Sequence, residues 1–442
     1  TGVSPSSFPG DENGTTVGLN AGSYGVSETS VDGYASSLSS GCSGAIVVGQ
    51  TKTCTVTNDD IAPKLTVIKH VIKNNGGTAV AGDFTMEVVG TNVSDTSFAG
   101  DENGITVTLN KGSYSVDEDS FVGYAKSIGE NCSGDINIGE EKTCTITNDD
   151  IAPKLTLNKV VVGDNGGTES ESAWTITATG DQETPTVLSG NGAPGSDDVV
   201  SGSNFQTGIY SLSESGPFGY AASSWTCAGD VENNGDEITL GLNQTATCAI
   251  TNDDIAPSLT LIKHAINDNG GTAAVTDWTL SATGLTPISG QSGVTSDGTF
   301  SAGTYNLSET GGPAGYNASG WICTAGVQNG SSITLGVGQT AICAIANDDI
   351  APRLIVVKHV INDDWGFSSA SNFTMIISGS VAPSGNITFS GSETGVTQTL
   401  PMVGSYIVSE SGPQGYSETY SAGCTGSIGL GETKTCTITN DD

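Results

Sequence analysis

Asn58-Asp59-Asp60-Ile61-Ala62-Pro63-Lys64-Leu65-Thr66-Val67-Ile68-Lys69-His70-Val71-Ile72 closes one unit of this chain and opens the next. From Lys64 onward the side chains follow the two-residue period of a strand. Leu65, Val67, Lys69 and Val71 share one face, and Thr66, Ile68, His70 and Ile72 share the other. Before that strand stands Ile-Ala-Pro, a junction marked by its proline. The Asn-Asp-Asp ending returns at Asn148-Asp149-Asp150, Asn252-Asp253-Asp254, Asn347-Asp348-Asp349 and Asn440-Asp441-Asp442, and self-similarity at this spacing reads as an array. The complete units are 61–150, 151–254, 255–349 and 350–442, each long enough for about seven short strands of a sandwich. Residues 1–60 form a partial unit: Phe8, Tyr24 and Glu28 align with Phe98, Tyr114 and Glu118, and no counterpart of the two opening strands in 61–90 is present. Two explanations fit: a window on a longer repetitive polypeptide, or strands donated by a neighbouring subunit.

Composition agrees with strands. Of 442 residues 62 are Gly, strong helix formers are sparse, and no stretch repeats apolar residues at helical spacing. The expected fold class is all-β, a tandem array of immunoglobulin-like β-sandwiches. Thirteen basic residues against 48 acidic ones give a formal charge of −35, which repels a phosphate backbone and excludes nucleic acid as a partner. The sequence shows neither a run of about 18 apolar residues nor a charged-then-apolar leader, so neither a membrane span nor a signal peptide is read from it.

Ten cysteines fall two per unit: Cys42 with Cys54, Cys132 with Cys144, Cys227 with Cys248, Cys323 with Cys343, and Cys424 with Cys436. Each pair can bridge the last two strands of its own unit, which implies an oxidising, extracellular compartment. Zinc would need CxxC pairs or ligand histidines, and these are lacking.

A polar constellation repeats on the apolar faces. Lys69, Lys159, Lys263 and Lys358 occupy one position among apolar neighbours in the opening strands. In the pattern Tyr-x-Leu/Val-x-Glu, alternation turns Glu118, Glu214, Glu309 and Glu410 inward, and the closing strands add Asn148, Asn252, Asn347 and Asn440. A buried ammonium or carboxylate must pair or lose its charge. Burial makes an amine nucleophilic and a carboxyl a proton donor, and these groups beside a carboxamide can form an isopeptide bond with loss of ammonia. The alternative is a buried Lys and Glu ion pair with Asn as hydrogen-bond partner.

Tyr305-Asn306-Leu307-Ser308-Glu309-Thr310, followed by Pro313-Ala314-Gly315-Tyr316, resembles the E-box of the CnaB or SpaA-type (prealbumin-like) domains of surface adhesins and pilins. The resemblance covers the whole chain. It implies bonds from Lys69 to Asn148 with Glu118 assisting, from Lys159 to Asn252 with Glu214, from Lys263 to Asn347 with Glu309, and from Lys358 to Asn440 with Glu410. The disulfides and the Asn-Asp-Asp ending depart from the motif. So do Asp32-Gly33-Tyr34 and Val122-Gly123-Tyr124, which follow no proline, and the first block lacks its lysine.

His70, His264 and His359 follow the core lysine on the opposite face, a repeat position and not a catalytic set. No nucleophile elbow, phosphate loop or HExxH is present, so no enzyme is expected and no cofactor is required. Asp59, Asp60, Asp149, Asp150, Asp253, Asp254, Asp348 and Asp349, with turns such as Asn267-Asp268-Asn269-Gly270-Gly271, form oxygen-rich clusters suited to calcium at the junctions. The same residues also serve as ordinary turn and solvated-face residues. The function expected is a rod, stalk or filament on the cell surface whose partners are itself and neighbouring repeats. The rival is an adhesin binding a glycan or protein through its loops, for which only Asp181 to Gly202 is modestly lengthened.

Overall fold

In the computed structural model, which describes residues 2–196, 199–229 and 231–442, Lys64–Ile72 is a strand with Leu65, Val67 and Lys69 buried, as its alternation requires. Its partner is the last strand of the unit and not the next in sequence. Glu141–Asp150 pairs with it in parallel, Lys64 opposite Glu141 and Lys69 opposite Ile146. The same parallel pairing joins Lys154–Val162 to Thr245–Asp254, Ser258–Ile266 to Thr340–Asp349, and Arg353–Ile361 to Thr433–Asp441. In unit 61–150, Tyr124–Ile128 and Ile105–Thr108 flank that pair to complete a four-stranded sheet. The facing sheet runs Ser133–Ile136, Gly112–Glu118, Thr85–Val89, Ser97–Ala99, and Leu65, Val67, Met86, Val116 and Ile146 fill the space between. The chain is thus the all-β array of sandwiches that its alternation implies.

The partial unit holds two two-stranded sheets, Gly22–Gly25 with Ser43–Ile46 and Tyr34–Leu38 with Val56–Asp60. In the third unit the longer segment from Asp181 supplies the strand Val187–Asn191, paired with Thr175–Gly180; Asp197 and Asp198 lie outside the described residues.

All five disulfides close within their units. They do so in two ways. Cys132 immediately precedes Ser133–Ile136, a strand of the facing sheet, so its bond to Cys144 ties one sheet to the other. Cys227 and Cys323 sit directly opposite Cys248 and Cys343 on neighbouring strands of one sheet. The expected bridge between the last two strands in sequence holds for the second and fifth units, where Cys132 and Cys424 enter the strand just before the closing one. It needs correcting for the third and fourth units, where two short strands follow that of Cys227 or Cys323 before the closing strand, and the bridge joins neighbours in the sheet that are not neighbours in sequence.

The linker isoleucines are clamped from both sides. Ile61 N–H donates to Gly33 O of the preceding unit (2.9 Å), and Ile61 O accepts from Gly139 N–H of the following one (2.7 Å). Ile151, Ile255 and Ile350 repeat this between Gly123 and Asn243, Gly219 and Gly338, and Gly315 and Gly431. Beside each clamp an apolar side chain of the later unit fills the space over a glycine of the earlier one. A Cβ on Gly33, Gly123, Gly219 or Gly315 would lie 2.5–2.7 Å from Ile138, Leu242, Val337 or Leu430, and these glycines have φ between +82° and +91°. No other residue fits both demands.

The second Asp of the closing signature turns inward in the complete units, whereas Asp60 of the partial unit is exposed. Asp254 accepts Asn165 N–H (2.9 Å) and Gly167 N–H (2.5 Å), and Asp150 and Asp349 hold the equivalent turns at Asn75–Gly77 and Asn269–Gly271. From the other side the Tyr124 and Tyr316 hydroxyls accept N–H bonds from Ala79 and Ala273. These are charge-assisted bonds to a buried carboxylate. Replacing Asp254 by Ala should therefore cost the third unit about 2–4 kcal/mol and release the Asn165 and Gly167 amides to hydrogen exchange. Unchanged protection of those amides would contradict the role given to the carboxylate.

Candidate functional site

Alternation alone puts a lysine, a glutamate and an asparagine on inward faces; the parallel pairing makes them neighbours. Because Lys69 lies opposite Ile146, Asn148 is one side-chain step along the same face of the adjacent strand. Glu118 reaches in from the facing sheet, and its carboxylate lies 3.1 Å from Lys69 Nζ. The other complete units repeat the arrangement, with Lys159 to Glu214 at 3.1 Å, Lys263 to Glu309 at 3.0 Å and Lys358 to Glu410 at 3.2 Å. All four lysine side chains are fully buried, and the glutamates range from 0% to 14% exposed.

The asparagine engages differently from unit to unit. Lys159 and Lys263 Nζ each donate to the carboxamide oxygen, of Asn252 and Asn347, at 2.5 Å. In the last unit Asn440 Nδ2 donates to Glu410 at 2.6 Å. In unit 61–150 neither amide atom of Asn148 has a hydrogen-bond partner, and Glu118 is held by its ion pair with Lys69. The partial unit keeps two of the three groups, with Asn58 Nδ2 donating to Glu28 at 3.0 Å on an exposed surface.

Burial lowers the pKa of Lys69, Lys159, Lys263 and Lys358, against the opposing pull of the adjacent glutamate. A fourth participant was missed by the sequence reading. Each ammonium lies over an aromatic ring: Phe84 at 4.3 Å, Trp174 at 5.1 Å, Trp278 at 4.7 Å and Phe373 at 4.4 Å. The signal was available, because an aromatic followed by Thr stands at the same distance in sequence after the lysine in all four repeats. The ring excludes water from the amine and offers it a π face.

The acidic positions divide. Asp150, Asp254 and Asp349 are bound to backbone N–H groups, whereas Asp164 meets Asp253 and Asp254, and Asp268 meets Asp348 and Asp349. Asp363, Asp441 and Asp442 make a third such triad. Crowding by Asp349 raises the pKa of Asp268. Each triad belongs to a single unit, and Asn74 replaces the third acid beside Asp149 and Asp150. His70 and His359 pair on the surface with Glu102 and Glu393, each at 2.8 Å, away from the lysine site.

A repeated β-sandwich whose opening and closing strands lie side by side, with Lys, Glu and Asn meeting between its sheets, defines a class of structural repeat domain. The chain belongs to the prealbumin-like fold domain family, whose profile matches residues 59–147, 150–250, 254–345 and 349–440. Among solved structures it is similar to the Bacillus anthracis TIE protein, with 14% identity over 94% of this chain and 76% of that one and a TM-score of 0.39. It is also similar to the pilus adhesin SpaC from Lactobacillus rhamnosus GG, with 13% identity, 69% of this chain and 46% of that one, and a TM-score of 0.22. A third is two B repeat units of the collagen binding protein of Staphylococcus aureus, with 13% identity, 86% and 99% coverage, and a TM-score of 0.17. The chain thus spans less than half the length of the SpaC adhesin. No curated protein sequence matches it.

The site discriminates between its two chemistries by mass. Each Lys to Asn bond expels ammonia, so coupling lowers intact mass by about 17 Da per repeat, as amide transfer to an amine requires. Glu309→Ala should restore that mass in unit 255–349 alone and destabilise it by about 3–5 kcal/mol, since Lys263 loses its buried partner. A native mass equal to the sequence, corrected for disulfides, would establish the ion pair instead.

Proposed function

We propose that this chain is a load-bearing segment of an extracellular rod, stalk or filament, each complete repeat being stapled by a disulfide and by a Lys to Asn isopeptide bond. The observation that carries the reading is the fourfold recurrence of a fully buried amine, 3.0–3.2 Å from a carboxylate, beside a carboxamide on the adjacent strand. The reaction balances within the site. The lysine passes a proton to the glutamate and its Nζ attacks the asparagine Cγ. The glutamate delivers that proton to the departing nitrogen and takes a second from Nζ, so that ammonia leaves as the new amide forms and the carboxyl is left protonated. The lowered lysine pKa supports this, because the neutral amine is the nucleophile. The unpartnered amide atoms of Asn148 also support it, since buried groups left in that state are costly and coupling would expel the amide nitrogen.

Placement matters as much as chemistry. Lys263 lies near the start of its unit and Asn347 near its end, so a bond between them carries tension past the whole sandwich. Calcium enters this proposal only as a ligand of the three Asp triads, where it would neutralise crowded carboxylates within a unit and support its turn. Addition of a chelator should then destabilise units three to five and leave unit 61–150 unchanged; equal behaviour of all four removes metal from the account.

Pulling on single chains tests the mechanical reading. The intact array should extend without unfolding steps from the complete repeats. Glu309→Ala should add one step of roughly 220 Å, from the 84-residue separation of Lys263 and Asn347 less the 20-residue disulfide loop. Full-length unfolding steps from every repeat of the unmutated chain would end the proposal.

A further inference from the structure

Besides the linker clamp, three joints have a second contact. The turn held by the inward Asp presents an Asn-Gly pair to the next unit. Asn75 Nδ2 donates to Ser203 O (2.9 Å) and Phe205 O (3.0 Å), Asn165 Nδ2 to Gly298 O (3.1 Å) and Phe300 O (3.4 Å), and Asn269 Nδ2 to Pro401 O (3.2 Å). The turn also accepts a backbone bond in return, from Thr207, Ala302 and Val403 N–H to Asn75, Asn165 and Asn269 O. The following glycine lets the two units approach. A Cβ on Gly76 would meet Thr207 Oγ1 at 2.4 Å, one on Gly166 the Ala302 backbone at 3.0 Å, and one on Gly270 the Val403 side chain at 2.8 Å.

In the last unit this pair is Asp364-Trp365. The turn itself is unchanged: Asp442 accepts Asp363 N–H (2.8 Å), Asp364 N–H (2.9 Å) and Gly366 N–H, and Trp365 takes the left-handed conformation of the glycines, φ +80°. Only its outward chemistry differs. Where the other turns offer an amide donor, this one offers a carboxylate, which repels a carbonyl. Where they offer a bare Cα, it offers an indole, with Phe367 two residues further on.

We propose that the Asn-Gly pair is the recognition element that locks one repeat onto the next, and that Asp364-Trp365 makes the outward face of the last repeat refuse such a lock. A repeat placed after Asp442 is then held by its linker alone and swings. The three joints from unit 61–150 onward are stiff. Two independent obstacles act at this face, charge against the carbonyls and bulk against the backbone. Both follow from residue identity and hold whatever polypeptide follows.

The test transplants the pair in both directions. In the full chain, the double substitution N165D/G166W should free the joint between units 151–254 and 255–349. Small-angle scattering should then lose the sharp maximum dimension of the parent and show a smaller radius of gyration. An intact Cys227 to Cys248 peptide and unchanged far-ultraviolet circular dichroism would show that the third unit still folds. In the reverse experiment a second copy of residues 255–349 is appended after Asp442, with the native turn or with D364N/W365G. The repaired chain should be the longer and stiffer of the two. A grafted chain as stiff as the parent, or two extended chains of equal stiffness, would overturn the proposal.

Discussion

An ammonium group on the apolar face of a strand is the constraint around which each repeat is arranged. Left alone in the space between two sheets it would cost several kcal/mol, so the fold must bring it a carboxylate, exclude water around it and hold both in register. The glutamate comes from the facing sheet, the aromatic ring from the strand entry after the short 3-10 turn, and the asparagine from the closing strand. The parallel pairing of first and last strands is what makes this possible. It also sets the lysine of the opening strand beside the asparagine of the closing one, so that the proposed cross-link and the proposed mechanical role share a single geometric cause.

A second economy lies in the Asn-Asp-Asp ending. In units 151–254 and 255–349 the asparagine faces the core, the first aspartate faces solvent, and the second turns inward to hold the turn that meets the next unit. Three consecutive residues thus serve the site, the surface and the joint, because successive side chains of a strand point in opposite directions. The strand's own alternation links the interior of one repeat to its contact with the following one. The acidic surface is a separate matter. The formal charge is −35, whereas the contacts described at the joints are backbone bonds, uncharged amide and hydroxyl side chains and an apolar contact over glycine.

The strand faces, and with them the inward Lys69, Glu118 and Asn148, were legible because each follows from a local period. The pairing of cysteines within units was legible from their even count. The aromatic ring over each lysine escaped attention although its position recurs, since a single aromatic after a turn reads as ordinary core. The two disulfide geometries were not read from the sequence: the separation of 12 residues in one kind and 20 or 21 in the other marks them as different, but the sheet to which the first cysteine belongs is set by packing.

Sequence by itself determined what each residue faces: a period of two assigns a side chain to core or solvent without reference to anything distant. Which strand lies beside which was decided only by tertiary structure, since hydrogen-bonded pairing between segments some 80 residues apart leaves no local trace. That pairing turned three separately predicted inward groups into one site. It also turned Asn75 and Gly76, unremarkable residues of a turn, into the contact that seats one unit on the next. The physical reason is the same in both cases. Burial of a strand face is a local property of alternation, whereas the neighbour that completes a buried polar group must come from elsewhere in the chain and is fixed by the packing of the whole sandwich.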